Sequence, residues 1–409
     1  MPRVVHAALA ALAAAAASAA SPLPPLAWQP LPYGTVSPEG WLARQLRIQG
    51  DGLSGAFPQF WAPINDTMWT GGHNHEGDYI EIFPYVVAGY VPQAILLRDA
   101  AQLAQAQTWI DYLLTAQAAE GTGWLGPSLA ERGETNIGML YWPQWPIVLT
   151  FLAWREYGIA VNGTEDARLL AGSLAWLHNA SGMLSSKPMG YDWSGTRWQD
   201  FTYVIQAVQD VAPAAEQDFL AALSVTVYEQ GITHGIDWAK YYSGPTFPHD
   251  AVPGWDYLPH GVNNAMAAKG GAVTWRAGLD PAGNVSSWQR DAVLTEFHGS
   301  PSGVFFADEC LAGRMPSKAT ETCVVVEQLF SLNIVHEVQG DAFFAERAET
   351  IAYNALPAIG TKDLWTRVYL QQANEVFAGH AQPHPWNTDG ADATTYSLQD
   401  NYECCTASA

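Results

Sequence analysis

The residues of this chain that could do chemistry are cysteines and glutamates in short motifs of its second half. The segment "NYECCTASA" carries the adjacent cysteines Cys404 and Cys405, and the upstream motif "ETC" carries Glu321 and Cys323. Zinc binds thiolate sulfur strongly, also accepts carboxylate oxygen, and usually takes four ligands. These residue types therefore allow a zinc site made of three thiolates and one carboxylate.

The spacing of Glu321 and Cys323 limits how such a site could form. Residues two apart point to nearly opposite sides of a helix, so both could face one metal only from an extended turn before the helix. The stretch from Pro316 to Lys318 permits such a turn, with the helix starting near Cys323. On residue types alone, two alternatives stay open: a Cys310–Cys323 disulfide, or buried free thiols that act as small apolar side chains.

The elements that must position these residues are predicted to be helical almost throughout. Apolar residues recur three and four apart in successive segments, which is the pattern of a helix with one buried face. About a dozen helices are expected, the number that a doubled ring of six pairs needs, and strand-like alternation is scarce. We therefore predict an all-α fold, an (α/α)6 barrel or six-hairpin toroid, with a plain helical bundle as the alternative. The predicted helical segments begin at Trp41, Gly77, Ala100, Trp145, Asp166, Trp198, Ala215, Val262, Ser286, Cys323 and Ala342.

The N-terminal residues predict export. Arg3 is followed by an alanine- and leucine-rich run and then by small residues and prolines, which is the layout of a cleavable signal ending near Ala20. We expect a signal peptide over residues 1–20, a proline-rich segment over 21–40 and one helical domain over 41–409. Asn-x-Ser/Thr sequons support a secreted, extracellular glycoprotein. They lie at Asn65, Asn162, Asn179 and Asn284.

The amino-acid composition limits the classes of molecule that the protein is expected to bind. The formal net charge is −22, although only 14% of the residues are charged. So acidic a surface repels nucleic acid and anionic membranes, and neither is expected as a partner. Hydrophobic residues make up 48% of the chain and can bury a large core. The 18 tryptophans suit a cleft that stacks on sugar rings as well as a core.

Beside these observations, the motifs "ADECLAG", "ETC", "EQLFSL" and "CCTA" resemble those of glycoside hydrolase family 127, whose characterised members include β-L-arabinofuranosidases. The resemblance runs from about Trp41 to the end of the sequence, with further matches at "HGVNNAM" and "VYLQQANEV". It implies a retaining glycoside hydrolase on an (α/α)6 barrel, whose carbohydrate substrate is an L-arabinofuranoside or a related plant or glycoprotein sugar.

The resemblance also implies a role for each motif residue. Cys404 corresponds to the cysteine nucleophile of the family, and Glu309, in "ADEC", falls at the position of its general acid/base. The acid role requires a raised pKa, and the apolar "GVFFA" before Glu309 suggests a pocket that could raise it. Cys310 has no role in this scheme. The implied Zn2+ ligands are Glu321, Cys323, Cys404 and Cys405.

Substrate contacts follow from the same resemblance. His260, in "LPHGVNNAM", corresponds to a substrate-contacting histidine and is expected to reach a sugar hydroxyl, with Asn263 or Asn264 beside it. Trp145 stands where the arabinofuranosidases carry a histidine. With Tyr141 and Trp142 it would form a stacking wall for sugar or, alternatively, pack in the core.

Two other functions fit the same residues. An (α/α)6 hydrolase or polysaccharide lyase could use two carboxylates and no metal, with the cysteines only structural. A catalytically inactive carbohydrate-binding protein is the other alternative, because the family continues past the position of Cys405 through the rest of the barrel and β-sandwich domains. We therefore expect a barrel that is incomplete at its C-terminal end and no β-sandwich in this chain.

Overall fold

The structure is a computed structural model that describes residues 23–74, 81–127, 141–375, 378–380, 382–388, 390–398 and 403–408. The predicted signal peptide, residues 1–20, lies outside these residues. The described chain is mainly helical, as predicted, and its strands are short two-residue segments.

The α-helices in chain order are α1 Gly40–Asp51, α2 Leu53–Phe60, α3 Ala62–Asn65, α4 Ile82–Leu97, α5 Ala100–Glu120, α6 Trp145–Asn162, α7 Ala167–Ser186, α8 Trp193–Thr196, α9 Trp198–Gln209, α10 Gln217–His234, α11 Trp238–Ser243, α12 Gly261–Ala267, α13 Gly270–Arg276, α14 Gly283–His298, α15 Thr322–Gln339, α16 Ala342–Asn354 and α17 Glu403–Ala407. Single 3-10 turns cover Met68–Thr70, Trp142–Gln144, Ala214–Glu216 and Leu356–Ile359. The strands are β1 Ala307–Asp308, β2 Cys310–Leu311, β3 Thr320–Glu321 and β4 Leu370–Gln371.

The long helices form two concentric rings. The inner ring runs through α4, α6, α9, the consecutive pair α12 and α13, and α15, each packed on the next. Each outer helix packs on the inner helix that directly precedes it in the chain; the outer helices are α5, α7, α10, α14 and α16. The short α17 contacts both α15 and α4 and so lies at the sixth inner position, while α1 and α2 pack outside α4. This is the (α/α)6 toroid expected from the sequence.

Burial distinguishes the two rings. Nearly every residue of the inner helix α9 is buried, whereas the outer helix α5 buries one stripe that includes Ala106, Ile110 and Leu113. The ends of α5 follow from its sequence. The Asp99 carboxylate accepts hydrogen bonds from the first free N–H groups of the helix, and Gly121, with φ 79°, ends it in the left-handed region.

The segment predicted as one helix from Val262 is divided into α12 and α13 by a turn at Ala268 and Lys269. The Lys269 side chain is fully buried inside the barrel. Its Nζ donates to Asp200 Oδ1 on α9 at 2.7 Å, so the buried charge is paired. The apolar periodicity continues through the turn, which is why the sequence pattern did not reveal it.

The proline-rich segment packs on the barrel. Arg276 Nε donates to the Pro24 carbonyl at 3.0 Å, and the Trp28 N–H donates to the Glu337 carbonyl at 3.1 Å. The Trp28 ring stacks on His336 with centroids 6.2 Å apart. Among the described helices, none is both long and apolar enough to cross a membrane.

A small sheet of order β2-β1-β3-β4 lies at one end of the inner ring. β1 runs antiparallel to β2 and parallel to β3, and β3 runs antiparallel to β4. β3 leads directly into α15. The sheet therefore holds three separate segments of chain against the start of one inner helix.

Candidate active site and metal centre

Glu321 and Cys323 face one point because the chain is extended at the first and helical at the second. Glu321 ends β3 and caps α15, with φ −63° and ψ 140°. Its strand pairs with Leu370 of β4, and the Thr322 N–H donates to the Tyr369 carbonyl at 2.9 Å. The extended turn required by the spacing is present, and α15 begins at Thr322, one residue before Cys323.

α17 carries Cys404 and Cys405 to the same point. Cys405 Sγ lies 3.3 Å from Cys323 Sγ and 3.8 Å from Glu321 Oε1. One donor atom from each of these four residues lies within 4.8 Å of the donor atoms of the other three. The cysteines are free thiols, so the Cys310–Cys323 disulfide considered as an alternative is not formed.

This donor set fits zinc. Sulfur atoms that share one tetrahedral zinc at about 2.3 Å lie about 3.8 Å apart, close to the separations found here. Three thiols and one carboxylate supply four ligands of the types that zinc binds. The Ser408 hydroxyl lies 3.6 Å from Cys323 Sγ and gives that sulfur a polar neighbour besides the cysteines.

The three thiols differ in ionisation and in access. Hydrogen bonds from Cys323 and Cys405 hold the pKa of Cys404 well below its ordinary value. The hydrogen bond to Cys404 raises the pKa of Cys323, and burial raises the pKa of Cys405. Cys323 and Cys405 are buried, whereas Cys404 is partly exposed. Cys404 is thus the thiol that combines a lowered pKa with partial exposure.

Glu309 has a strained backbone beside this cluster. It is the single residue between β1 and β2, and its φ of 76° is in the left-handed region although it is not glycine. Such a conformation costs about 1–3 kcal/mol and persists where surrounding contacts fix it. Asp308 pairs with Cys310 across the turn, and the Gly261 N–H donates to the Glu309 carbonyl at 2.8 Å. These bonds fix the direction of the carboxylate.

Three side chains surround the Glu309 carboxylate. His260 Nε2 lies 3.3 Å from Oε1, the Tyr369 hydroxyl donates to Oε2, and Trp255 also forms a side-chain hydrogen bond to it. Burial raises the pKa of Glu309, but the hydrogen bonds from these donors outweigh burial and lower the pKa below its ordinary value. The expectation of a raised pKa is therefore wrong, because the donors come from segments far from "GVFFA".

The orientation of His260 shows which of its nitrogens carries the proton. Nδ1 accepts a hydrogen bond from the Asn263 N–H at 3.3 Å, as the N-cap of α12. Nε2 therefore carries the hydrogen and donates it to Glu309 Oε1. His260 is only 3% exposed. The structure thus gives His260 a contact with the carboxylate of Glu309, and its contact with a sugar hydroxyl stays a prediction.

Two further residues that were predicted to contact substrate are buried in this structure. Asn263 is fully buried, its Oδ1 accepts from Arg197 Nε at 2.8 Å, and its Nδ2 donates to the Tyr257 carbonyl at 3.0 Å. The amide is engaged inside the barrel. Trp145 is 3% exposed and packs on Phe201 with centroids 5.8 Å apart, so it belongs to the core and presents no face for stacking.

Sequence reasoning missed Tyr369 and Trp255, which both contact Glu309. Tyr369 lies in "VYLQQANEV", and Trp255 lies shortly before the "HGVNNAM" segment. The only signal for either residue was its position in or beside a matched motif. Contact with Glu309 depends on the β3–β4 pairing and on a loop fold that the sequence pattern does not encode.

Comparisons with known proteins find the fold but no relative by sequence. No protein-family model matches the chain, and no curated protein matches it. A GH127 β-L-arabinofuranosidase from Geobacillus stearothermophilus T6 superimposes with a TM-score of 0.58 at 14% identity, covering 82% of this chain and 58% of that chain. The chain therefore shares the fold of this solved GH127 structure.

A second solved structure, a GH127 β-arabinofuranosidase, gives a TM-score of 0.57 at 11% identity over 96% of this chain and 61% of that chain. A polysaccharide lyase gives 0.53 at 11% identity over 89% of this chain and 52% of that chain. This chain therefore spans about three-fifths of the length of the family 127 structures that it matches. The likeness establishes the fold, and the activity has to be argued from the site.

Proposed function

We propose that the protein is a secreted, zinc-dependent, retaining glycoside hydrolase acting on L-arabinofuranosides or related plant or glycoprotein sugars. One observation carries this proposal. Three thiols and the Glu321 carboxylate converge within 4.8 Å, and the shared Glu321 also lies within 4.8 Å of Glu309 and His260. A thiol that can attack and a carboxylate that can exchange protons are thereby brought to one place.

The residues that would hold zinc are Glu321, Cys323, Cys404 and Cys405. Bound there, zinc would keep the sulfur of Cys404 as a thiolate at neutral pH. The described structure favours the same ionisation, since the neighbouring thiols already lower the pKa of Cys404.

The reaction would proceed by two displacements. The Cys404 sulfur attacks the anomeric carbon, the bond from that carbon to the leaving oxygen breaks, and Glu309 gives that oxygen its proton. Water then attacks the same carbon, Glu309 takes a proton from the water, and the carbon–sulfur bond breaks to restore the Cys404 thiolate. Two inversions at one carbon retain its configuration.

The environment of Glu309 favours one half of this cycle. Hydrogen bonds from His260, Tyr369 and Trp255 favour the carboxylate, which is the form that takes a proton from water in the second displacement. The first displacement requires the protonated form. Formation of the sulfur-bound sugar is therefore expected to be faster toward acidic pH.

The test combines metal analysis with turnover of an aryl β-L-arabinofuranoside. We expect about one zinc per chain, loss of activity with a chelator and recovery on addition of zinc. Cys404→Ser should fold but lose turnover. Cys310→Ala is the matched control, because this buried thiol lies outside the four-residue cluster. Unchanged turnover in Cys404→Ser would contradict the mechanism with a cysteine nucleophile.

A polysaccharide lyase is the second candidate. The fold is shared with a solved polysaccharide lyase, and His260 and Tyr369 beside Glu309 offer acid/base groups that need no metal. A lyase would release an unsaturated uronic acid from a polyuronate. Such a product, detected by its ultraviolet absorbance, together with full activity of Cys404→Ser, would favour the lyase.

Secretion is part of the proposal and rests on the N-terminal sequence and the sequons. Asn65 and Asn162 are exposed and accessible to glycosylation. Asn179 is partly buried, and its Nδ2 donates to the Thr122 carbonyl at 3.1 Å. Expression in a eukaryotic secretory host should yield protein in the medium whose mass falls after enzymatic deglycosylation, and retention of the chain inside the cells would contradict this part.

A further inference from the structure

A group of aromatic residues lies on the surface next to Glu309. Tyr191 and Trp255 are 47% and 46% exposed, so about half of each side chain faces solvent. Tyr257 lies between them, with ring centroids 5.3 Å from Tyr191 and 4.8 Å from Trp255. We call these three residues the aromatic platform.

The platform is anchored from below and from the side. Trp193 is 9% exposed and meets Tyr257 and Trp255 edge to face, at 4.9 and 5.6 Å. The Tyr191 hydroxyl donates to Asp256 Oδ1 at 2.7 Å. The rings are therefore held in place before any ligand arrives, and the exposed Asp256 carboxylate beside them can accept hydrogen bonds from hydroxyl groups.

Other exposed tryptophans occur on the described surface, but Trp255 has a contact that they lack. Its side chain is hydrogen bonded to the Glu309 carboxylate, and its ring lies 6.0 Å from that of His260. Trp288, for comparison, is 41% exposed on the outer helix α14, where it stacks on Phe343 at 3.9 Å. Exposed tryptophan side chains are common on protein surfaces. A tryptophan that is exposed beside the proton donor of a glycosidase indicates instead a surface that binds a ligand.

We propose that the aromatic platform is the binding site for the sugar on the leaving-group side of the scissile bond. The proposal rests on the proposed function, because Glu309 must reach the glycosidic oxygen that departs with that sugar. The leaving-group ring must then lie on the Glu309 side, where the platform begins. Aromatic faces bind the apolar faces of sugar rings, and Asp256 accepts from their hydroxyls. The preferred substrate is thus an oligosaccharide or glycan whose leaving group is itself a sugar.

The test measures binding separately from turnover. Calorimetry on the zinc-loaded wild-type protein compares two non-hydrolysable thioglycosides, a thio-linked L-arabinofuranosyl disaccharide and methyl 1-thio-L-arabinofuranoside. We expect the disaccharide to bind at least about tenfold more tightly. Tyr191→Ala should remove most of this advantage and leave the affinity for the methyl glycoside unchanged. Tyr353→Ala, a similarly exposed tyrosine that packs on Trp41 at 5.8 Å, is the matched control.

Trp255→Phe separates stacking from the hydrogen bond to Glu309. This variant keeps an aromatic face but removes the indole N–H, so the disaccharide advantage should persist. Equal affinity for the two ligands, or binding of neither, overturns the platform. The proposed function fails on a different result, the absence of aryl glycoside hydrolysis, so the two failures are distinguishable. Hydrolysis without a disaccharide preference leaves the function standing and removes the platform.

Discussion

Cys323 Sγ and Cys405 Sγ lie 3.3 Å apart, one at the start of α15 and the other on α17. Sulfur atoms of two unbonded thiols have no strong mutual attraction and repel each other once both are ionised. The pKa values of Cys323 and Cys405 are both raised, whereas that of Cys404 is lowered. A cation between them would remove this repulsion as they ionise. The thiol pair therefore supports a metal more directly than any single residue of the site.

Cys405→Ser should abolish stabilisation by zinc. A ligand that binds only the folded state adds about 4 kcal/mol when its concentration is 1,000 times Kd. We expect zinc to raise the Tm of the wild-type protein by several degrees and that of Cys405→Ser by little, with similar Tm values in chelator. Thermal melts with and without zinc measure this, and Cys310→Ala should respond like the wild type. An equal response of Cys405→Ser would contradict the ligand assignment.

His260→Ala should shift the pH profile of kcat/KM toward alkaline pH. The first displacement requires protonated Glu309, and the hydrogen bond from His260 lowers the Glu309 pKa. Removal of this donor raises that pKa, so the protonated form persists to higher pH, and the alkaline limb should move up by about one pH unit. Tyr369→Phe should move it in the same direction.

The control for this experiment is His234→Ala, at the exposed end of α10. Its profile should match that of the wild type. An alkaline limb that stays in place in both His260→Ala and Tyr369→Phe would show that a group other than Glu309 controls it.

Gly261→Ala should disturb the site through packing. An added Cβ would lie 2.5 Å from Ala307 Cβ and 3.0 Å from Val324 Cγ2, so β1 or α15 must move. We expect a loss of about 1–3 kcal/mol in the free energy of unfolding, and lower kcat because Gly261 holds the Glu309 carbonyl. Gly182→Ala, within α7 with open space around it, should be neutral or slightly stabilising. Denaturant melts on both variants check the contrast.

Glu327→Gln should stabilise the protein at neutral and alkaline pH. Burial raises the pKa of Glu327 to about 7, although Lys269 lowers it. Between about pH 4.5 and 7 the folded state binds more protons than the unfolded state, so stability falls as pH rises through this window, by up to about 3 kcal/mol. The amide cannot ionise, so this loss should disappear. Glu349→Gln, on the exposed face of α16, is the control, and parallel pH dependences of the Glu327→Gln variant and the wild type would contradict the prediction.

Much of the fold was predictable because helical periodicity is a local property. The segments from Ala100, Trp198 and Ala342 lie in helices α5, α9 and α16 that begin at those residues. The extended turn before Cys323 was predictable as well, since two residues at that spacing cannot share one face of a helix. What periodicity could not show is a break such as that at Lys269, where the pattern continues although the backbone turns.

The surroundings of each site residue were less predictable. Whether Trp145 or Asn263 faces a cleft or the core depends on which helix packs over it, and both are buried. The pKa of Glu309 depends on Tyr369 and Trp255, which reach it from separate loops. Motifs therefore identified the residues that converge at the candidate site, whereas the side chains that surround Glu309 became visible only in three dimensions.

The position of α17 gives the candidate metal centre a structural role in the ring of helices. α17 packs between α15 and α4, so it joins the fifth inner position of the ring to the first. A metal ion bound by ligands from β3, α15 and α17 would hold these elements of the inner ring together. Binding of the metal would then complete the ring of inner helices and, at the same time, keep the proposed nucleophile as a thiolate. A chain whose ring is incomplete would therefore lack the reactive thiolate.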